Sequence, residues 1–303
     1  MSETTQLVQL THRVDVARSL SMFRRGRGDP TYQVDGAWHW RATRLASGPV
    51  TARFLQTGPT TVELSAWGPG ADELRAGFAG WFPDDEFDDL PVPHAVVADA
   101  RRRFPGLRTP ATGRVLEALV PAVIEQKVVG RDAFASWRRL VRRFGEPAPG
   151  PATVPLHVPP TASGWAAVPS WEWHAAGVDP QRYRTAQAAA RVGDRLDALA
   201  AEGTTADVLR ALRSVPGVGA WTAAEVASRA LGDPDAVSWG DYHLANTVGV
   251  GLTGDRVGDA EVPALLEPYR PFRGRVVRLL ELSPLSVVER RGPRMSRVDH
   301  RRI

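Results

Sequence analysis

Apolar and polar residues alternate through most of the first 90 residues, in four short runs separated by Gly, Pro and Asp. Alternation with a period of two is typical of strands that bury one face, and the separating residues favour turns. The pattern predicts an antiparallel sheet, preceded by a short helix over VDVARSLSMF and followed by another over ADELRAGFAGWF. The predicted strands are TYQVDG, AWHWRATRLA, PVTARFLQT and TTVELSAW.

From about residue 93 the apolar residues recur at intervals of three and four, which is the period of an α-helix. Helices are predicted over GRVLEALVPAVIEQKVVG, AFASWRRLVRRF, WEWHAAG, QRYRTAQAAARVGDRLDALAAEG and ADVLRALRSV. The apolar face of the first of them consists of Val115, Leu116, Leu119, Val120, Val123 and Ile124. Residues 146–164 are too rich in proline for a helix or a central strand and predict a linker or crossing loop.

The two periods together predict an α+β protein in three parts. Residues 1–92 form the domain with the antiparallel sheet, and residues 93–283 form an all-helical domain in two halves. Residues 284–303 form a basic tail, whose last fifteen residues hold six arginines and are expected to fray.

The stretch SVPGVGAWTAAEVA, residues 214–227, places a proline and two glycines between two predicted helices. Gly217 and Gly219 suit a tight turn with positive φ, or a close approach of the backbone to another group. Gly232 is placed to end the second helix. A helix-hairpin-helix of this kind points the free N–H groups and the positive dipole end of its second helix at whatever lies beside the glycines. A phosphodiester fits there, and such contacts hold DNA without reading its sequence.

Composition excludes several classes of function. The chain has no cysteine, so it forms no disulfide, thiolate metal site or cysteine nucleophile. The sequence has no apolar run of about 18 residues and no secretory signal at MSETTQLVQL, so we expect no membrane contact and a cytoplasmic, nucleoid-associated location. A net charge of +4 favours an anionic partner only weakly over this length. Lys127 is the single lysine among 38 Lys and Arg residues, which makes it a candidate for a role that arginine cannot fill.

Three segments together resemble a known family, the helix-hairpin-helix DNA glycosylases, and within it the 3-methyladenine (alkyl-base) branch. They are LRSVPGVGAWTAAEVASRALGDPDAVSWGDYHL, the helix VLEALVPAVIEQKV, and LLEPYRPFRGRVVRLLE. The resemblance extends to the β-rich N-terminal region, because that branch carries a TATA-binding-protein-like domain ahead of its helices. It implies a helical core whose two halves enclose a pocket for a damaged base near the hairpin.

The resemblance implies that Asp241, in SWGDYHL, is the catalytic residue. Breaking a deoxyribose N-glycosidic bond develops oxocarbenium charge on the sugar, and a fixed carboxylate stabilises that charge while a water attacks. The base must first leave the duplex stack. The alternative is that Asp241 merely caps a helix over YHLANTVGV, and one carboxylate can do both.

The resemblance also assigns DNA contacts and a cation. In the hairpin, DNA would be held by Pro216, Gly217, Val218 and Gly219, and the carbonyls of Arg213, Val215 and Val218 would hold a monovalent cation (Na⁺ or K⁺) that bridges to the phosphate. Gln126 and Lys127 would plug the gap that the flipped nucleotide leaves. For Lys127 a phosphate contact, an amine nucleophile or a solvated helix end remain alternatives.

Three residues are candidates for the base pocket. Trp221 stands where bifunctional members of the superfamily carry a lysine nucleophile, so no lyase activity is expected from that position. It would stack on the flipped base or pack between helices. Glu225 and Glu281 stand where well-known alkyl-base enzymes have aromatic residues, and a carboxylate there would favour cationic or amino-bearing bases. The alternatives are surface ion pairs of Glu225 with Arg229 and of Glu281 with Arg278.

The sequence thus predicts a monofunctional DNA glycosylase that removes a damaged, alkylated base from double-stranded DNA. We expect it to act as a monomer and to need no cofactor for the chemistry. The alternatives are a glycosylase for a non-alkylated lesion and a non-catalytic helix-hairpin-helix protein that binds damaged DNA.

Overall fold

The structure, a computed structural model, describes residues 5–86, 89–90, 92–152 and 155–286. Its N-terminal part is an antiparallel sheet of five strands in the order β1-β5-β4-β3-β2. The strands are β1 Thr5–Gln9, β2 Tyr32–Asp35, β3 Trp38–Leu45, β4 Gly48–Gly58 and β5 Thr61–Trp67. The four strands predicted from alternation are therefore present. β1, which we did not predict, pairs with β5 at the edge, with Thr5 opposite Ser65.

The described residues of the Pro-rich segment 146–164, predicted to be a linker or crossing loop, cover one face of this sheet. Trp40 and Trp67 stack on that face with ring centroids 5.6 Å apart. Leu156 and Val158 from the segment complete the cluster, and two short strands, β6 Glu146–Pro147 and β7 His157–Val158, pair within it. Proline excludes a central strand but allows these short edge pairings, and the apolar residues between the prolines bury the tryptophans.

The rest of the described chain is helical. The helices are α1 Val16–Leu20, α2 Ala71–Gly77, α3 Ala95–Arg103, α4 Val115–Glu125, α5 Gly130–Phe144, α6 Ala162–Ala167, α7 Ser170–Ala175, α8 Pro180–Arg191, α9 Gly193–Glu202, α10 Thr205–Ser214, α11 Ala220–Val226, α12 Leu244–Thr253, α13 Val262–Leu266 and α14 Arg273–Leu282. In the described residues, no helix is both long enough and apolar enough to cross a membrane. Of the predicted basic tail, residues 287–303 lie outside the described residues.

The helices build two hydrophobic cores. Residues of α4 to α11 form one core, which contains the stacked Trp137 and Trp165. Residues of α3 join those of α12, α13 and α14 in the other. The chain therefore begins the second core, completes the first, and then returns to finish the second. The hairpin packs on the first core, and the loop with Asp241 packs on the second.

α4 is the buried axis of the helical part. Every residue of α4 is buried except Glu117 and Glu125, and its apolar residues follow the predicted face. Each of the two glutamates reaches an arginine of the sheet part: Glu117 pairs with Arg41 at 2.7 Å and Glu125 with Arg25 at 3.1 Å. The helix ends at Glu125, earlier than predicted, because Gln126 has ψ 123° and Lys127 has φ 53°.

The Arg41–Glu117 pair generates a stability prediction. The Arg41 side chain is only 2% exposed, so Glu117→Gln leaves a buried guanidinium without its counter-charge. We expect the free energy of unfolding, measured by urea denaturation at neutral pH, to fall by about 3 kcal/mol. The control Glu267→Gln removes a pair to Arg270 in which the glutamate is 59% exposed, and it should change stability far less. Equal effects of the two variants would contradict a structural role for the buried pair.

Candidate active site

The hairpin lies between α10 and α11, as predicted. A capping box of Thr204 and Asp207 begins α10, and the N–H of Val218 donates to the carbonyl of Val215 at 3.0 Å to close the turn. Gly217 has φ 86°, and an added Cβ would collide with the Thr185 hydroxyl of α8, so this position requires glycine.

Gly219 has a different role from Gly217. Its φ of −96° and ψ of −173° are ordinary extended backbone, so the positive φ expected at this glycine is absent. An added Cβ would meet nothing within 4 Å in the protein itself, and a close approach of this backbone to another group stays a prediction. Gly219 is the N-cap of α11, and no side chain caps that helix. The first-turn N–H groups of α11 are therefore left without a side-chain cap.

The end of α4 is attached to this turn through Gln126. Its amide nitrogen donates to the carbonyl of Gly217 at 3.0 Å and to the hydroxyl of Thr222 at 2.8 Å. The next residue, Lys127, is exposed and has left-handed backbone geometry. The structure thus brings Gln126 and Lys127 beside the hairpin, and Gln126 fixes the turn itself.

Asp241 lies in the loop before α12, and both of its carboxylate oxygens accept hydrogen bonds. Oδ1 accepts the backbone N–H of His243 at 2.8 Å, and Oδ2 accepts the indole N–H of Trp221 at 3.2 Å. The N-cap of α12 is His243, so Asp241 caps the turn before the helix and not the helix predicted over YHLANTVGV. Oδ1 therefore stabilises the turn before α12, while Oδ2 is bound by a side chain of α11.

Trp221 has a role that neither sequence interpretation included. It is half-buried on the first turn of α11, and its indole N–H reaches the carboxylate of Asp241. A hydrogen bond to a carboxylate fixes the orientation of that carboxylate. The Trp221 side chain therefore orients the carboxylate of Asp241, and this holds whether or not its ring stacks on a base.

Glu225 forms the pair with Arg229 that was one of its two predicted alternatives, but the pair is not on the surface. The two charges are 2.7 Å apart, and their side chains are only 14% and 17% exposed. Burial lowers the pKa of Arg229, but the charges of Glu225 and Glu125 outweigh that effect and raise it. The carboxylate of Glu225 is already compensated, so it no longer supports a preference for cationic bases.

Ser238 connects Glu225 to the loop of Asp241. Its hydroxyl donates to Glu225 Oε1 at 2.5 Å, and its carbonyl accepts the N–H of Asp241 at 3.0 Å. Neither the contact of Ser238 nor the burial of Arg229 could be predicted from the sequence, because both depend on how the loop between α11 and α12 packs against α11. No local motif marks either residue.

Glu281 is separate from this network. It pairs with Arg278 at 2.8 Å on the surface of α14, with 45% of its side chain exposed, which matches the second predicted alternative. Its charge still acts on Arg229, so it lies close enough to influence the buried pair. It contacts Asp241 through no described hydrogen bond.

Side-chain metal ligands are not clustered in the described parts of the chain, where no group of three or more His, Asp or Glu could hold an ion. The carbonyls predicted to hold a monovalent cation belong to the backbone. The carbonyl oxygen of Val215 accepts the N–H of Val218 and keeps a second lone pair. The side chain of Gln126 binds the carbonyl of Gly217, which is not one of the three predicted cation ligands. The turn is compatible with a cation bound by main-chain oxygens.

Comparisons with known proteins agree with this geometry. No protein family model matches the chain. It is 35% identical over 151 residues to the probable bifunctional transcriptional activator/DNA repair enzyme AlkA of Mycobacterium tuberculosis, a match that covers 50% of this chain and 29% of that protein. The chain therefore spans less than a third of the length of this curated relative.

Two solved structures align with nearly the whole chain. A 3-methyladenine DNA glycosylase from Archaeoglobus fulgidus aligns with a TM-score of 0.75 at 18% identity, over 91% of this chain and 97% of that one. The 8-oxoguanine glycosylase/lyase of Clostridium acetobutylicum, in complex with double-stranded DNA, aligns with a TM-score of 0.67 at 10% identity, over 92% and 96%. The chain therefore has the fold of these two DNA glycosylases, in agreement with the resemblance that the hairpin motif indicated.

Proposed function

We propose that the chain is a monofunctional DNA glycosylase that hydrolyses the N-glycosidic bond of an alkylated base in double-stranded DNA. The observation that carries the proposal is the carboxylate of Asp241, held by the indole of Trp221 beside the uncapped first turn of α11. A protein that only binds damaged DNA needs no oriented carboxylate at this place. The TATA-binding-protein-like character of the sheet, the boundary near residue 92 and a monomeric state belong to the same proposal.

The hairpin would hold one phosphate of the DNA through its backbone. The open first turn of α11 presents N–H groups and the positive end of the helix dipole, and Pro216, Gly217, Val218 and Gly219 shape the approach. A monovalent cation on the carbonyls of Arg213, Val215 and Val218 would add positive charge facing the same phosphate. Contacts of this kind set the position of the duplex and carry no sequence information.

Asp241 would then act at the sugar of the flipped nucleotide. The N-glycosidic electron pair leaves with the base, oxocarbenium charge develops on the sugar, and the carboxylate of Asp241 stabilises that charge. A water adds its oxygen to the sugar carbon and loses a proton, which leaves an abasic site. The N–H of Trp221 would keep the carboxylate oriented while the charge develops.

Two observations support an alkylated base over other lesions. The sequence match is to an enzyme named AlkA, and the structural likeness includes a 3-methyladenine glycosylase. The likeness to an 8-oxoguanine enzyme keeps a non-alkylated lesion as the second candidate. Of the predicted pocket residues, Trp221 reaches Asp241 directly and Glu225 reaches it through Ser238, whereas Glu281 lies on the surface of α14.

The first prediction for the active site concerns Asp241. Asp241→Asn keeps the shape of the side chain and the bond to His243 but removes the negative charge. We expect base release from alkylated duplex DNA, detected as alkali-sensitive abasic sites, to fall by about a hundredfold or more, because electrostatic stabilisation of the transition state is lost. Binding to duplex that contains an abasic-site analogue should persist. Asp259→Asn, in an exposed loop, is the control. Full activity of Asp241→Asn would remove the carboxylate from the mechanism.

The second prediction separates the two uses of Trp221. Trp221→Phe keeps an aromatic ring but removes the N–H that donates to Asp241. A hydrogen bond to a charged group is worth about 1.5–3 kcal/mol. We expect the single-turnover rate at saturating DNA to fall about 10- to 100-fold with little change in affinity. A full rate for Trp221→Phe together with a low rate for Trp221→Ala would mean that the ring, and not the N–H, is what matters.

The third prediction concerns Lys127, which is the only lysine in the chain. Because Trp221 occupies the hairpin position of the lysine nucleophile, we expect no strand cleavage at the abasic product and no protein–DNA adduct on borohydride treatment. An adduct that disappears in Lys127→Arg would instead identify Lys127 as a nucleophile and make the enzyme bifunctional.

A further inference from the structure

Exposed arginines also lie on α5 and on the loop between α1 and β2 that packs against it. The loop between α1 and β2 contains Arg24, Arg25, Gly26, Arg27 and Gly28, and its glycines lie against α5. Gly26 has φ 77°, and an added Cβ there would lie 3.3 Å from the Phe134 ring; one on Gly28 would lie 3.2 Å from the Arg138 side chain. The loop therefore follows the helix closely, with Arg27 exposed between the two glycines.

The loop is held in place by a buried carboxylate. Asp29 is fully buried and accepts the backbone N–H groups of Arg25 and Thr31 at 2.5 and 2.9 Å and the indole N–H of Trp137 in α5 at 3.2 Å. Arg25 turns inwards to Glu125, at the last turn of α4. These contacts hold the backbone on both sides of Arg27 against α5, and Arg25 ties the loop to α4.

One face of α5 continues the positive charge. Arg131, Arg138 and Arg142 are separated by seven and four residues, so they share a face, and Arg142 donates to the carbonyl of Gly28 at 3.4 Å. We call Arg27, Arg131, Arg138 and Arg142 the basic seam. In the part of the chain that the structure describes, these four arginines form no ion pair with a carboxylate.

The neighbouring acids do not neutralise the basic seam. Glu125 is paired with Arg25, and Asp29 is buried beneath the loop. By contrast, Arg143 on the adjoining face of α5 pairs with Glu172 at 2.7 Å. The chain therefore leaves positive charge uncompensated on one side of α5 and compensates it on the next.

We propose that the basic seam binds the sugar–phosphate backbone of duplex DNA beyond the nucleotide held at the hairpin. Arg131 and Arg142 are eleven residues apart, which is about 16 Å along the helix axis. Duplex DNA carries one charge per about 1.7 Å of its axis, so the seam can meet more than one phosphate. Its first residue on α5, Arg131, follows Lys127 by four residues, and Gln126 beside Lys127 is bonded to the hairpin turn, so one duplex can contact both surfaces. This inference rests on the proposed function, and it adds the sheet part to the DNA-binding surface.

Salt dependence of DNA binding tests the proposal. Each phosphate contact contributes about 0.9 to the slope of log affinity against log salt concentration. On undamaged duplex, we expect Arg27→Gln to make this slope shallower by about 0.9 and Arg27→Gln/Arg138→Gln to make it shallower by about 1.8. Arg139→Gln removes the same charge from an exposed position one residue further along α5, off the seam, and should leave the slope unchanged.

The outcomes distinguish the inference from the function on which it rests. Base release by the control Arg139→Gln, measured in single turnovers at saturating DNA, should equal that of the wild type, because Arg139 lies off the seam. If the wild type binds duplex but the slope is the same in Arg27→Gln, or falls equally in Arg139→Gln, the seam serves another partner and the inference is wrong. If the wild type binds no duplex DNA, the proposed function fails as well.

Discussion

A carboxylate on an otherwise buried helix must be paired, and α4 carries two of them at opposite ends. Glu117 on its first turn binds Arg41, and Glu125 on its last turn binds Arg25, both from the sheet part. Burying these charges costs desolvation that only well-placed partners offset, so the sheet can dock in one register. Gln126, directly after Glu125, then binds the hairpin turn. The sheet, the first helical core and the hairpin are thus positioned relative to one helix.

The candidate catalytic loop depends on a similar arrangement of buried charge. Arg229 and Glu225 neutralise each other inside the protein, and Glu225 still accepts the hydroxyl of Ser238, three residues before Asp241. Trp221, one turn earlier on α11, holds the carboxylate of Asp241 from the other side. One face of α11 therefore fixes a loop that belongs to the second helical core. An aromatic residue at Glu225 would pack there but would provide no acceptor for Ser238.

Much of this could be predicted from local sequence, because it depends on local physical constraints. The alternation of apolar and polar residues predicted β2 to β5. The two glycines predicted the hairpin, and at Gly217 no other residue tolerates the backbone conformation and the contact with Thr185. Gly232 ends the helical segment after α11 in left-handed geometry, as expected. The fold class followed from where the hydrophobic period changes along the chain.

The remainder depends on contacts between distant segments. β1 is too short for its alternation to stand out, and it exists because β5 offers an edge. The Pro-rich segment resembles a linker until Trp40 and Trp67 require a cover. Glu225 and Arg229 have the spacing of a surface pair, and only the packing of the loop that carries Ser238 buries them. Sequence spacing identified the right partners, but it could not predict their exposure.

The turn at Gly217 also determines how much the protein must reorganise when it meets a ligand. Thr185 fills the space on one side of this glycine, and Gln126 holds its carbonyl on the other. The loop is therefore already ordered in the free protein, and association does not have to pay the conformational entropy of forming it. A rigid contact of this kind engages and releases successive positions along a polymer with little internal motion, which suits a protein that must inspect many sites before it finds one to act on.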